Sequence, residues 1–124
     1  MQAWRRRSRR NDQKEAYDRY ARAVKLQPGD PEASIGLAKV LMSMDQPEKA
    51  EPPLKRALQL DPTSAVAHFR LSTVYRQMGR PADAKHELEE YQRYKDMKDK
   101  LAELYRQMRL DPAQKDSDEA DPRR

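Results

Sequence analysis

The strongest constraint on this chain is that it repeats itself. Ala16, Tyr20, Ala23, Leu26 and Pro28 are matched in character by Ala50, Leu54, Ala57, Leu60 and Pro62, an offset of 34 residues. Another step of 34 meets Ala84, Leu88 and Tyr91. The intervening segments keep the same register, with Leu37/Leu71, Ala38/Ser72 and Leu41/Tyr75. A period of this length marks copies of one supersecondary unit. Such a unit cannot bury its apolar face alone, and it stacks on its neighbours to do so.

Each unit reads as two helices. Ile35, Leu37, Ala38, Val40, Leu41 and Met44 recur at helical spacing, as do Leu71, Val74, Tyr75 and Met78. Asp30 before Pro31 is an N-cap followed by proline at the first helical position. Ser64 caps the equivalent helix one unit later. Gly79 falls where a left-handed C-cap is needed, and Pro81 opens the next helix; Asp45-Gln46-Pro47 marks the same turn 34 residues earlier. The small residues Ala38/Ser72 and Ala50/Ala84 sit where the two helices of a hairpin cross, and a bulky side chain there would overpack by about 1–3 kcal/mol.

The reading is therefore all-α, a stack of helical hairpins. The helices are expected near 12–27, 31–44, 47–60, 65–78 and 82–109. Pro52-Pro53 falls early in the third helix, where a tolerated irregularity with a kink or local tightening is expected. The last helix is long because no breaker follows Pro81 until Asp111-Pro112. Its stripe of Leu88, Tyr91, Tyr94, Met97, Leu101, Leu104 and Met108 reads as a capping extension over 99–110, with a homodimer seam as the sharper alternative. Residues 111–124 have almost no apolar content and read as a disordered tail.

Composition fits thin helical layers: 38% of residues are charged and 36% hydrophobic. Lys+Arg total 26 against 21 Asp+Glu, and Arg5, Arg6, Arg7, Arg9 and Arg10 account for the difference. The body is neutral, so a nucleic-acid surface spread over the fold is not supported. Only a basic N-terminal arm or truncated helix over 1–10 remains for that competing role. In the 34-residue register, Ala3, Trp4 and Arg7 occupy positions of an earlier first helix, with Trp4 too large for a crossing site. The chain thus reads as starting inside a repeat, as the C-terminal piece of a longer array would, with Tyr17, Tyr20 and Val24 partly uncovered. No secretory leader and no membrane-spanning run is seen, leaving the cytoplasm as the default compartment.

This pattern resembles the tetratricopeptide repeat, a 34-residue helix–turn–helix, and the resemblance implies that the hairpins stack as a right-handed superhelix. The resemblance covers residues 11–98, about two full repeats plus a partial N-terminal one. The first-helix signature falls on Ser34/His68, Leu37/Leu71, Ala38/Ser72 and Leu41/Tyr75. That of the second falls on Ala50/Ala84, Leu54/Leu88, Ala57/Tyr91 and Pro62. Ser34 and His68 are small and polar for a large position, and Tyr91 stands where alanine is usual.

Chemistry for catalysis is missing from the sequence. With no cysteine, and with His68 and His86 on different helices, thiolate nucleophiles and a three- or four-ligand metal site are not supported. Gly29, Gly36 and Gly79 form no phosphate loop, and Glu89-Glu90 reads as solvated surface. The reading is a non-enzymatic, cofactor-free interaction module or adaptor, with a segment of a larger protein as a further alternative. The resemblance implies a concave face carrying Glu32, Ile35, Lys39 and Met42, then Val66, Phe69, Thr73 and Arg76 with Arg70 beside them. An apolar floor of Ile35, Met42 and Phe69 beside the cations Lys39, Arg70 and Arg76 fits a peptide with apolar anchors and a carboxylate. The competing expectation is that Ile35 and Phe69 only pack between helices. Asn11, the one asparagine, lies outside the groove, so the family's chaperone-tail clamp is not expected.

Overall fold

The computed structural model describes residues 2–108, and the side chains of residues 9–108. Five helices follow one another: α1 (Gln2–Leu26), α2 (Pro31–Ser43), α3 (Pro47–Leu60), α4 (Ala65–Gln77) and α5 (Pro81–Gln107). Each packs on the next in sequence, and α2 also meets α4. The result is a stack of antiparallel hairpins in which α2 and α4 share one face. The N-terminal segment is a continuation of α1, so the backbone favours a helix over a separate arm. The side chains of Trp4 and of Arg5, Arg6 and Arg7 lie outside the described residues, as does the tail expected over 111–124.

The turns follow from their capping residues. The Asp30 carboxylate accepts from the Glu32 amide at 3.0 Å, and the Ser64 hydroxyl accepts from the Ala67 amide at 3.2 Å. Gly79 adopts φ +74° and lets the Arg80 amide reach the Tyr75 carbonyl at 2.8 Å. Asp45, 34 residues earlier, adopts φ +60° and sets the Gln46 amide on the Leu41 carbonyl at 3.0 Å. The two turns are built alike, but only one uses the residue that enters this conformation without Cβ strain. Asp45→Gly is expected to raise stability by about 0.5–1 kcal/mol, read as a higher urea midpoint at unchanged slope. Gly79→Ala should lower it.

Helix α3 runs through Pro52 and Pro53 without interruption. Their missing amides leave the carbonyls of Glu48 and Lys49 without intrahelical donors. Both residues are exposed, at a surface where solvent can meet such carbonyls.

The core lies among α2, α3 and α4. Ala38, Ala50, Leu54, Ala57, Ala67 and Val74 are wholly buried, with Leu41, Leu71 and Tyr75 beside them. The alanines at the crossings let the helix backbones approach and the larger residues interdigitate. Gly36 serves the same end at the α1–α2 contact, where a Cβ would overlap the Tyr20 ring. No described residue of α1 or α5 is fully buried, so both ends of the stack remain partly open. Tyr20 and Val24 are half-buried and Tyr17 is exposed, as expected of an uncovered first helix.

Polar contacts also join α3, α4 and the start of α5. Arg80 lies over the Tyr75 ring at 4.4 Å and contacts Asp83 at 2.8 Å and Glu51 at 3.3 Å. Glu51 also pairs with Lys55 at 3.0 Å. Burial pushes the Tyr75 phenol up, and the Glu51 charge adds to it.

Candidate functional site

The α2–α4 face carries a cleft of about 250 Å3 lined by Ala38, Met42, Ser43, Leu54, Arg70, Thr73 and Gln77. Its position follows from the repeat register. At the first interface Tyr20 of α1 lies against Gly36 of α2. Thirty-four residues on, the same two positions hold Leu54 and Arg70. The large residue has become smaller and the glycine has become a long cation, and the cleft has Leu54 and Arg70 in its wall.

Three of the seven residues expected to contact a ligand meet in this cleft: Met42, Arg70 and Thr73. Met42 is half-buried against the core and supplies an apolar wall. Thr73 donates through its hydroxyl to the Phe69 carbonyl at 3.3 Å. Arg70 is half-buried, and its Nε is fully buried with no hydrogen-bond partner among the described residues. Leaving a buried donor unmet costs about 1–3 kcal/mol, and more for a charged group. Among the described residues no carboxylate pairs with this cation.

The other four residues are placed differently. Lys39 and Arg76 are exposed and border the same face without lining the cleft. Ile35 is only 7% exposed and belongs to the core, so it gives no floor to a groove. Phe69 is half-exposed, and its ring meets Tyr91 of α5 at 5.1 Å with a tilt of 53°. Packing between helices thus accounts for Ile35 fully and for Phe69 in part. Ser43 and Gln77 were not anticipated as cleft residues. They occupy one register position, 34 apart, directly after Met42 and Arg76, and that register was the signal for them.

His68 proves to be a packing residue. Its Nε2 donates to the Pro62 carbonyl at 3.1 Å, its Nδ1 meets the Glu87 carboxylate at 2.7 Å, and its ring stacks on Tyr94 at 5.5 Å. It fills the large position of its repeat from α4 to α5, while the buried Ser34 leaves the equivalent position small. Among the described residues no group of three metal-ligating side chains converges, and no helix is long and apolar enough to cross a membrane.

A tetratricopeptide repeat family model matches residues 9–52 and 46–108. No curated protein matches the chain in sequence. Among solved structures, one titled as a crystal structure of MamA superimposes with a TM-score of 0.68 at 21% identity, covering 72% of this chain and 52% of that one. Another, MamA MSR-1, gives 0.67 at 18% identity, covering 70% and 50%. MamA AMB-1 gives 0.66 at 19% identity, covering 71% and 52%. This chain therefore spans about half the length of those structures, and the likeness is one of fold. The capped hairpins, the 34-residue register and the family match agree, and the chain belongs to the tetratricopeptide repeat family.

Proposed function

We propose that this protein is a non-catalytic adaptor whose α2–α4 face binds an acidic peptide segment of another protein. The observation that carries the reading is Arg70, a cation with a buried, unpartnered Nε at a cleft walled by Met42 and Leu54. A carboxylate of the peptide meets the guanidinium, and Thr73, Ser43 and Gln77 offer polar contacts around it. Lys39 and Arg76 border the face and steer an acidic chain toward it. A neighbouring apolar side chain of the peptide packs on Met42. Membership of a family of helical interaction repeats supports the protein-binding role.

The test is selection from a random peptide library on the full chain. Aspartate and glutamate should be enriched in peptides that the wild type retains. Arg70→Leu, which keeps the stem of the side chain, should lose that enrichment while its helical circular dichroism is unchanged. Arg76→Glu should weaken the retained peptides on the order of several-fold, and less as salt rises. Equal selection of acidic peptides by wild type and Arg70→Leu would refute the cleft.

A further inference from the structure

The second half of α5 leaves the stack. His68 near the start of α4 stacks on Tyr94, and from Lys95 to Met108 every residue of the helix is exposed. Over this stretch Met97, Leu101, Leu104 and Met108 succeed one another at spacings of four, three and four, each about half exposed. That is the seam of a heptad pattern: Met97 and Leu104 in one core position, Leu101 and Met108 in the other. At 1.5 Å per residue the seam is roughly 17 Å long, or three turns.

The charges beside the seam decide what fits it. The flanking positions on its two sides are Arg93, Lys98, Lys100, Tyr105 and Gln107, with no acid among them. Glu90 partly engages Arg93 at 3.7 Å, whereas Lys98 and Lys100 form no ion pair among the described residues. Asp96, Asp99 and Glu103 occupy the outer positions, away from the seam. A second copy docked in parallel would bring Arg93 against Lys98. One docked antiparallel, with the two seams overlaid, would set Lys98 against Tyr105 and Lys100 against Gln107. Neither orientation gains an attractive pair, and the parallel one meets repulsion, so the flanks give the alternative homodimer no support. The chain's own residues 111–124 have acids but, proline apart, only Ala113 and Ala120 as apolar side chains, too small to fill the seam.

We infer that the Met97–Met108 face of α5 is a docking surface for an acidic amphipathic helix of another protein, with apolar residues in its core positions and glutamate or aspartate beside them. The apolar seam supplies the contact area, and Lys98 and Lys100 set the choice of partner. This surface is separate from the α2–α4 cleft and stands whether or not the cleft binds a peptide.

Two designed helical peptides of about three heptads, alike in leucine core positions, test it on the full chain. One carries glutamate and the other lysine at all flanking positions. The glutamate peptide should bind on the order of tenfold more tightly than the lysine peptide by fluorescence anisotropy, and its advantage should shrink with added salt. Leu101→Glu with Leu104→Glu should abolish its binding. Lys98→Glu with Lys100→Glu, which leaves the apolar seam intact, should reverse the preference between the two peptides. Equal affinity for both peptides, or binding of neither, overturns the inference. So does a dimer in light scattering that Leu101→Glu converts to monomer, because the face would then belong to a second copy.

Discussion

Leu71→Ala is expected to lower the unfolding free energy by about 3 kcal/mol, within the range of about 2–5 kcal/mol for deleting a buried leucine side chain. Leu71 is only 2% exposed and sits in the core shared by α2, α3 and α4. Its loss removes apolar burial and leaves a void that the flanking helices cannot close without moving Val74 and Leu54. A domain of this size holds about 5–15 kcal/mol in all, so the variant should unfold at a much lower urea concentration. The comparison residue is Leu104, half-exposed on the free part of α5, where alanine should change stability by no more than about 0.5 kcal/mol. Equal losses at the two positions would mean that the core has been misplaced.

His68→Ala is the second large effect, expected at about 3 kcal/mol. Three contacts go at once: the Pro62 carbonyl, the Glu87 carboxylate and the stack on Tyr94. The Glu87 side chain, 14% exposed, is left as a mostly buried charge with no partner, which costs more than losing the pair itself. Adding Glu87→Leu to His68→Ala should therefore recover part of the loss. Thermal denaturation of the two single variants and the double one reads the coupling directly. Strictly additive effects would show that the contact carries no energy.

The helices and turns were legible in the sequence because each rests on local rules. Asp30, Ser64 and Gly79 cap as their chemistry dictates, and the small residues of the crossings are buried at the offset that revealed them. The continuity of α1 to Gln2 was open between two readings, since a run of arginines allows either helix or arm. The site was less legible. Periodicity marks which residues share a helix face, but not how far a neighbour reaches across it. Ile35 was read as groove floor, yet it turns into the core, while Gly36 beside it receives the Tyr20 ring. The buried Nε of Arg70 depends on how α2, α3 and α4 close around it, which no spacing along one helix expresses. The His68–Glu87 contact joins residues 19 apart across a hairpin, and only the fold sets that pairing.

Because every helix finds its main partner next to it along the chain, few of the native contacts wait on distant segments. Low contact order of this kind goes with folding in microseconds to milliseconds. During synthesis, however, α1 emerges first and has no fully buried described residue of its own, so it gains little until α2 presents Gly36 to Tyr20. The nascent chain should commit when α4 joins α2 and α3, once Tyr75 has left the ribosome. Helix α5 then settles onto a core already formed, and its outer turns never need to wait for it.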